Sequence, residues 1–182
     1  LGRTYLLEAQ LSGAGPADEG WQQAATALQQ SVALLRRSGT QHNLPWGLLA
    51  LAELGRAWAV VAGGRGFDSA QPPREALLTQ AERALDEAEQ IAGRGGMVPF
   101  QVDAAVERAR VALARGDRAA AAAQLAQAQA LVKTTEAPYV PYEPQWAEWE
   151  PPAYCTALTP GELVGYHRRN GEIAALLRVV EE

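Results

Sequence analysis

An all-α array of antiparallel helix hairpins is the fold class that this sequence predicts, and two observations carry the prediction. Alanine, leucine, glutamine, glutamate and arginine dominate the first 135 residues. These residue types lose little rotamer freedom in a helix, and the β-branched and aromatic residues that favour a sheet are sparse there. A spaced pattern of small and large apolar residues also recurs three times, and a repeat of this kind decides a whole architecture. With 182 residues and 48% hydrophobic content, the chain can bury a sizeable core as one domain or one short array.

The pattern is clearest at residues 81–88, AERALDEA, where Ala81, Leu85 and Ala88 fall on one helical face. Ala121, Leu125 and Ala128 repeat the spacing, and Ala24, Leu28 and Ser31 form a third copy. Small residues let a second helix approach closely and the larger residue between them fills the gap, so each copy reads as the second helix of a hairpin. The first helix of each hairpin has its own signature upstream. Leu1-Gly2-x-x-Tyr5 and Leu54-Gly55-x-x-Trp58 share a leucine, a small residue and an aromatic, and Ala109-x-x-Ala112 before the turn Gly116-Asp117 is a degenerate third. The periodicity predicts helices over residues 2–13, 17–38, 44–62, 74–93, 98–115, 117–135 and 170–181.

These residues resemble the tetratricopeptide repeat (TPR), whose first helix carries L-G-x-x-Y and whose second carries A-x-x-x-F-x-x-A. The match covers residues 1 to about 135 and implies a superhelical solenoid of three TPR-like hairpins. The phrases RRSGTQHNLPWGLLALAEL, GGMVPFQVDAAVERARVALARGD and GYHRRNGEIAALL look like the C-terminal repeats of large bacterial STAND NTPase and related NACHT-type signalling or defence proteins. The resemblance implies an interaction scaffold rather than an enzyme. A start at Leu1 without a methionine or signal-peptide pattern reads as a piece of a longer chain.

Three stretches depart from a simple array. SGAGPADEG lengthens the first turn, and GGRGFDSAQPPRE separates Trp58 from the next helix; both have loop composition. Residues 136–164 form a larger proline- and aromatic-rich insert, with six of the 11 prolines, three of the five tyrosines and acidic residues without a basic one. That much proline excludes a long helix. Thr159-Pro160-x-Glu162 has the form of a capping box, and the amphipathic segment within residues 165–182 is expected to cap the open end of the array.

Composition narrows the function classes. A formal net charge of -5 and a pI near 5.2 argue against nucleic acid as a general partner. The single cysteine, Cys155, excludes an internal disulfide and a multi-cysteine zinc site and fits a reducing compartment, so the cytoplasm is the expected location and no cofactor or metal is expected. Only Lys133 among the 16 basic residues is lysine, an arginine bias that suggests a GC-rich bacterial genome. No uninterrupted apolar run approaches the roughly 20 residues that cross a bilayer. No phosphate loop, nucleophile elbow or zinc helix occurs. His42 and His167 read as capping or surface residues and Cys155 as a packed small hydrophobe, so no catalytic residue is assigned.

Laying the repeats in register gives the best candidate site. Arg3, Arg56 and Arg110 each follow the small residue of a first helix, 53 and 54 residues apart, a position that in TPR arrays faces the concave groove. Three guanidinium groups lining one groove would hold a carboxylate or phosphate and give local positive potential, with Arg168 and Arg169 adding to it. The competing reading pairs Arg56 with Glu53 and Arg110 with Glu107 within their own helices. Tyr139, Tyr142, Trp146, Trp149 and Tyr154 either pack over the solenoid or form a partner-binding patch; if the insert fills the groove, Glu143, Glu148 or Glu150 can stand in as an internal ligand. The expected partner is a protein or peptide, acidic if the groove is open, together with neighbouring domains of the same longer chain. The alternative is a small-molecule sensor regulating an attached NTPase or effector.

Overall fold

A computed structural model describes residues 2–13, 15, 18–63, 72–138, 163–164, 166 and 169–181. Within them run α1 (Gly2–Leu11), α2 (Glu19–Ser38), α3 (Leu44–Gly63), α4 (Arg74–Arg94), α5 (Val98–Arg115), α6 (Arg118–Thr134) and α7 (Asn170–Glu181). The boundaries lie within two residues of those expected from periodicity, because local chemistry sets them. Asp18 accepts a hydrogen bond from the Gly20 amide at 2.8 Å and so becomes the N-cap of α2. Asp117 does the same for the Ala120 amide at 2.9 Å. The turn between α5 and α6 is only two residues long because Gly116, at φ +83°, ends one helix in the left-handed region while Asp117 starts the next.

Among the described residues the fold is all-α apart from one two-residue ladder, and the helices pack as successive pairs: α1 on α2, α3 on α4, α5 on α6. Odd-numbered helices also meet in order, α1 on α3 and α3 on α5, while α7 lies on α6 and α5. Missing side chains make the close approaches. A Cβ at Gly2 would stand 2.6 Å from the Leu28 side chain, and one at Gly55 would stand 2.9 Å from the Leu77 carbonyl oxygen and 3.3 Å from Ala81 Cβ. The glycine of the first-helix signature is therefore the point where the two helices of a pair nearly touch.

The expected core residues Ala81, Leu85, Ala88, Ala121, Leu125 and Ala128 are fully buried. Ser31 is a correction: it is exposed, and Val32 takes the inward place on α2. The cause is Gly47 of α3, whose open side admits Val32 so closely that a Cβ there would lie 2.8 Å from Val32 Cγ2. The same neighbour makes Trp58 of α3 stack on the buried Trp21 of α2, centroids 6.3 Å apart and planes 12° from parallel.

Among the described residues α3 is the one helix long and apolar enough to span a bilayer by length and composition, and 67% of its apolar window is buried inside the protein. Packing on three sides by α2, α4 and α5 accounts for that composition. One feature lay outside the periodicity: Ala137–Pro138 (β1) pairs antiparallel with Leu163–Val164 (β2), a two-residue ladder. The insert between them, including the aromatics and the expected cap at Thr159, lies outside the described residues.

Candidate functional site

The register that aligned the arginines also aligns glutamates, and the two sets meet between helices. Arg3 of α1 reaches Glu53 of α3 at 3.4 Å, Arg56 of α3 reaches Glu107 of α5 at 2.5 Å, and Arg110 of α5 pairs with Glu172 of α7. Each odd-numbered helix thus presents its arginine to an acid on the next. The last step turns back: Arg169 binds Glu172 at 2.5 Å and Asp103 of α5 at 2.8 Å, and the Tyr166 hydroxyl donates to Asp103 at 2.9 Å. α7 therefore closes the ladder instead of offering a cation onward.

Two expectations are corrected by this arrangement. Arg56 pairs with Glu107 across helices, not with Glu53 in its own; only the Arg110–Glu107 contact, 3.0 Å, is also intrahelical. Among the described residues Arg3, Arg56 and Arg110 each face a carboxylate, which offsets the positive potential expected of them. The ladder strengthens along its length. Arg3 is half exposed, whereas the Glu107 side chain is 7% exposed and serves two guanidinium groups. Burial alone would lower the Arg169 pKa, but its hydrogen bonds and charge contacts with Asp103 and Glu172 outweigh that and raise it.

A cleft of about 370 Å³ opens along this face. Its walls carry Arg3, Arg110 and Arg169 against Glu53, Asp103 and Glu107, and Leu6 and Leu49 form the apolar floor. Trp46 stands beside it, half exposed, with the Arg3 guanidinium 5.8 Å above its ring and Phe100 edge-on at 5.2 Å. Such a site can exchange weak, solvent-facing ion pairs for those of a ligand while its buried pairs keep the walls in place.

No family model, curated protein or solved structure matches this chain. Geometry alone therefore speaks for the site. Arg3, Arg110 and Arg169 come together in the cleft, while Arg56 lines a neighbouring one that shares Arg110. Arg168, Tyr139, Tyr142, Trp146, Trp149 and Tyr154 lie outside the described residues, as do Cys155, His167 and the glutamates Glu143, Glu148 and Glu150. Among the described residues, Glu172 of α7 is a carboxylate that binds Arg110. His42 is exposed in the turn before α3. No cluster of three or more His, Cys, Asp or Glu suited to a metal ion occurs among the described residues.

Asp103 and Glu172 were not foreseen as members of the site, Glu53 pairs with Arg3 and not with Arg56, and Glu107 keeps the expected Arg110 while adding Arg56. A signal existed in the E-x-x-R spacing at 53–56 and 107–110 and the reversed R-x-x-E at 169–172. When such spacing recurs in stacked helices, the partner is as close on the next helix as on the same one.

Proposed function

We propose that the chain is a TPR-type interaction module that recognises a peptide segment bearing both signs of charge along the α1–α3–α5 face, without turnover. The observation that carries this reading is the cleft that balances three arginines with three carboxylates over a leucine floor. Grooves of this kind bind by apolar area and a few convergent polar groups. Succession of helix pairs with glycine-tight contacts supports the solenoid reading. The weak rung at Arg3 and Glu53 is the entry point: a ligand carboxylate takes Arg3, a ligand cation takes Glu53, and the exposed Trp46 and Leu7 give apolar contact. In a longer bacterial signalling chain, such a face would read a partner while neighbouring domains carry the response.

The test is a peptide library of mixed charge screened against the purified chain, followed by the charge swap Arg3→Glu with Glu53→Arg. The swap keeps the rung but reverses its polarity, so the preferred peptides should invert their charge order while the melting temperature stays unchanged. A library without binders, or binders indifferent both to the swap and to Asp103→Asn, would overturn the reading.

A further inference from the structure

Beyond the peptide face, the ends of α3 and α5 and the first residue of α4 enclose a second cleft, of about 730 Å³, whose chemistry differs. Three guanidinium groups, Arg56, Arg74 and Arg110, line it with Val60, Leu113 and Leu176, and no carboxylate belongs to its described lining. Arg110 is neutralised by Glu107 and Glu172. Arg56 gives only its Nε to Glu107, so among the described residues its terminal nitrogens keep their donors. Arg74 pairs with no described carboxylate: one terminal nitrogen donates to the Ala114 carbonyl at the end of α5, and the residue lines the cleft. Among the described residues, Glu107 and Glu172 meet Arg56 and Arg110, and no carboxylate meets Arg74.

The placement of Arg74 depends on Gly63. A Cβ at that position would stand 2.9 Å from Arg74 Cδ and 3.0 Å from its Nε, so any larger residue there displaces the arginine side chain from its present path. A half-exposed Val60 and the leucines supply the opposite chemistry. The polar side chains of the described lining are donors only, which suits an anionic head group.

We propose that this cleft binds a small organic carboxylate with an aliphatic body, its head held by Arg56 and Arg74 and its chain laid on Val60, Leu113 and Leu176. Guanidinium forks suit a carboxylate because two parallel N–H donors match its two oxygens. Aliphatic lining excludes a purely inorganic anion as the best ligand, since the apolar wall would stay wet.

The experiment titrates the 182-residue chain with octanoate and, separately, with octanamide, phosphate and a peptide ending in leucine with a free carboxylate. Saturable binding of octanoate is expected, with octanamide and phosphate at least about tenfold weaker, since each lacks one half of the recognised chemistry. Arg74→Gln should weaken octanoate by about tenfold or more. Gly63→Val should act in the same direction by displacing Arg74, a readout that keeps the test open if Arg74→Gln disturbs the end of α5. Binding of the peptide but not octanoate, phosphate binding equal to octanoate, or octanoate binding unchanged by both variants would each overturn the proposal. Mixed-charge peptides that bind independently of Arg74 would leave the other cleft's function intact, so the two readings fail separately.

Discussion

Glu107 and Arg3 show how one kind of contact has different weight at different depths. Glu107 is a buried carboxylate between Arg56 and Arg110; removing its charge leaves two guanidinium groups with a neutral neighbour in a poorly solvated place. Glu107→Gln should therefore destabilise the chain by about 3 kcal/mol, toward the lower end of the range for breaking a buried pair because both arginines retain some solvent contact. Arg3→Ala should cost less than about 1 kcal/mol, as exposed pairs do. Urea denaturation of the two variants decides the matter, and equal losses would mean that the ladder acts as a surface network throughout. In the core, Leu85→Ala or Leu125→Ala should cost about 2–5 kcal/mol, since both side chains are fully buried; a loss below about 0.5 kcal/mol would contradict that burial.

At the scale of the element, two glycines in helices should respond in opposite directions to the same methyl group. Gly55 of α3 faces the backbone of α4, where a Cβ would meet the Leu77 carbonyl oxygen at 2.9 Å. Backbone yields only if the whole pair separates, so Gly55→Ala should destabilise by about 1–3 kcal/mol, as overpacking does. Gly93 of α4 has nothing within 4 Å of the added atom, and Gly93→Ala should stabilise by up to about 1 kcal/mol through helix propensity. Thermal melts of both variants test the contrast. The glycine of the L-G-x-x-aromatic signature was legible from residue order, but its contact was not: Gly2 nests on Leu28 and Gly55 on Ala81, places one helical turn apart in the repeat.

For the molecule as a whole, α7 sets where the array closes. It contributes Ile173 to the core of α5 and α6 and brings Glu172 to the ladder, with Arg169 just before its first residue. Ile173→Ala removes most of its buried apolar anchor, the one α7 residue that is fully buried. Amide exchange should then speed up through α7 while α3 and α4, which belong to a separate apolar cluster, keep their protection, because stability in such arrays is summed between neighbours. Uniform loss of protection across α3 and α4 would show one cooperative unit instead.

The residue order alone determined the helices and most of the buried face. Propensity, capping aspartates and turn glycines act within a few residues, so Asp18, Gly39, Asp117 and Gly116 could be read without knowing what packs where. The exchange of Ser31 for Val32 could not, because α3 chose the face of α2 through Gly47. The same limit governs the site. Periodicity aligned Arg3, Arg56 and Arg110, but whether a glutamate three residues away serves its own helix or the next depends on the spacing between helices, and that is a tertiary distance. Stacking gave Glu53 to Arg3 of α1 instead of Arg56 in its own helix, and gave Glu107 both Arg110 in its own helix and Arg56 of α3. It also brought Arg74 beside Arg56, a pairing that no periodic spacing links and that only the fold creates.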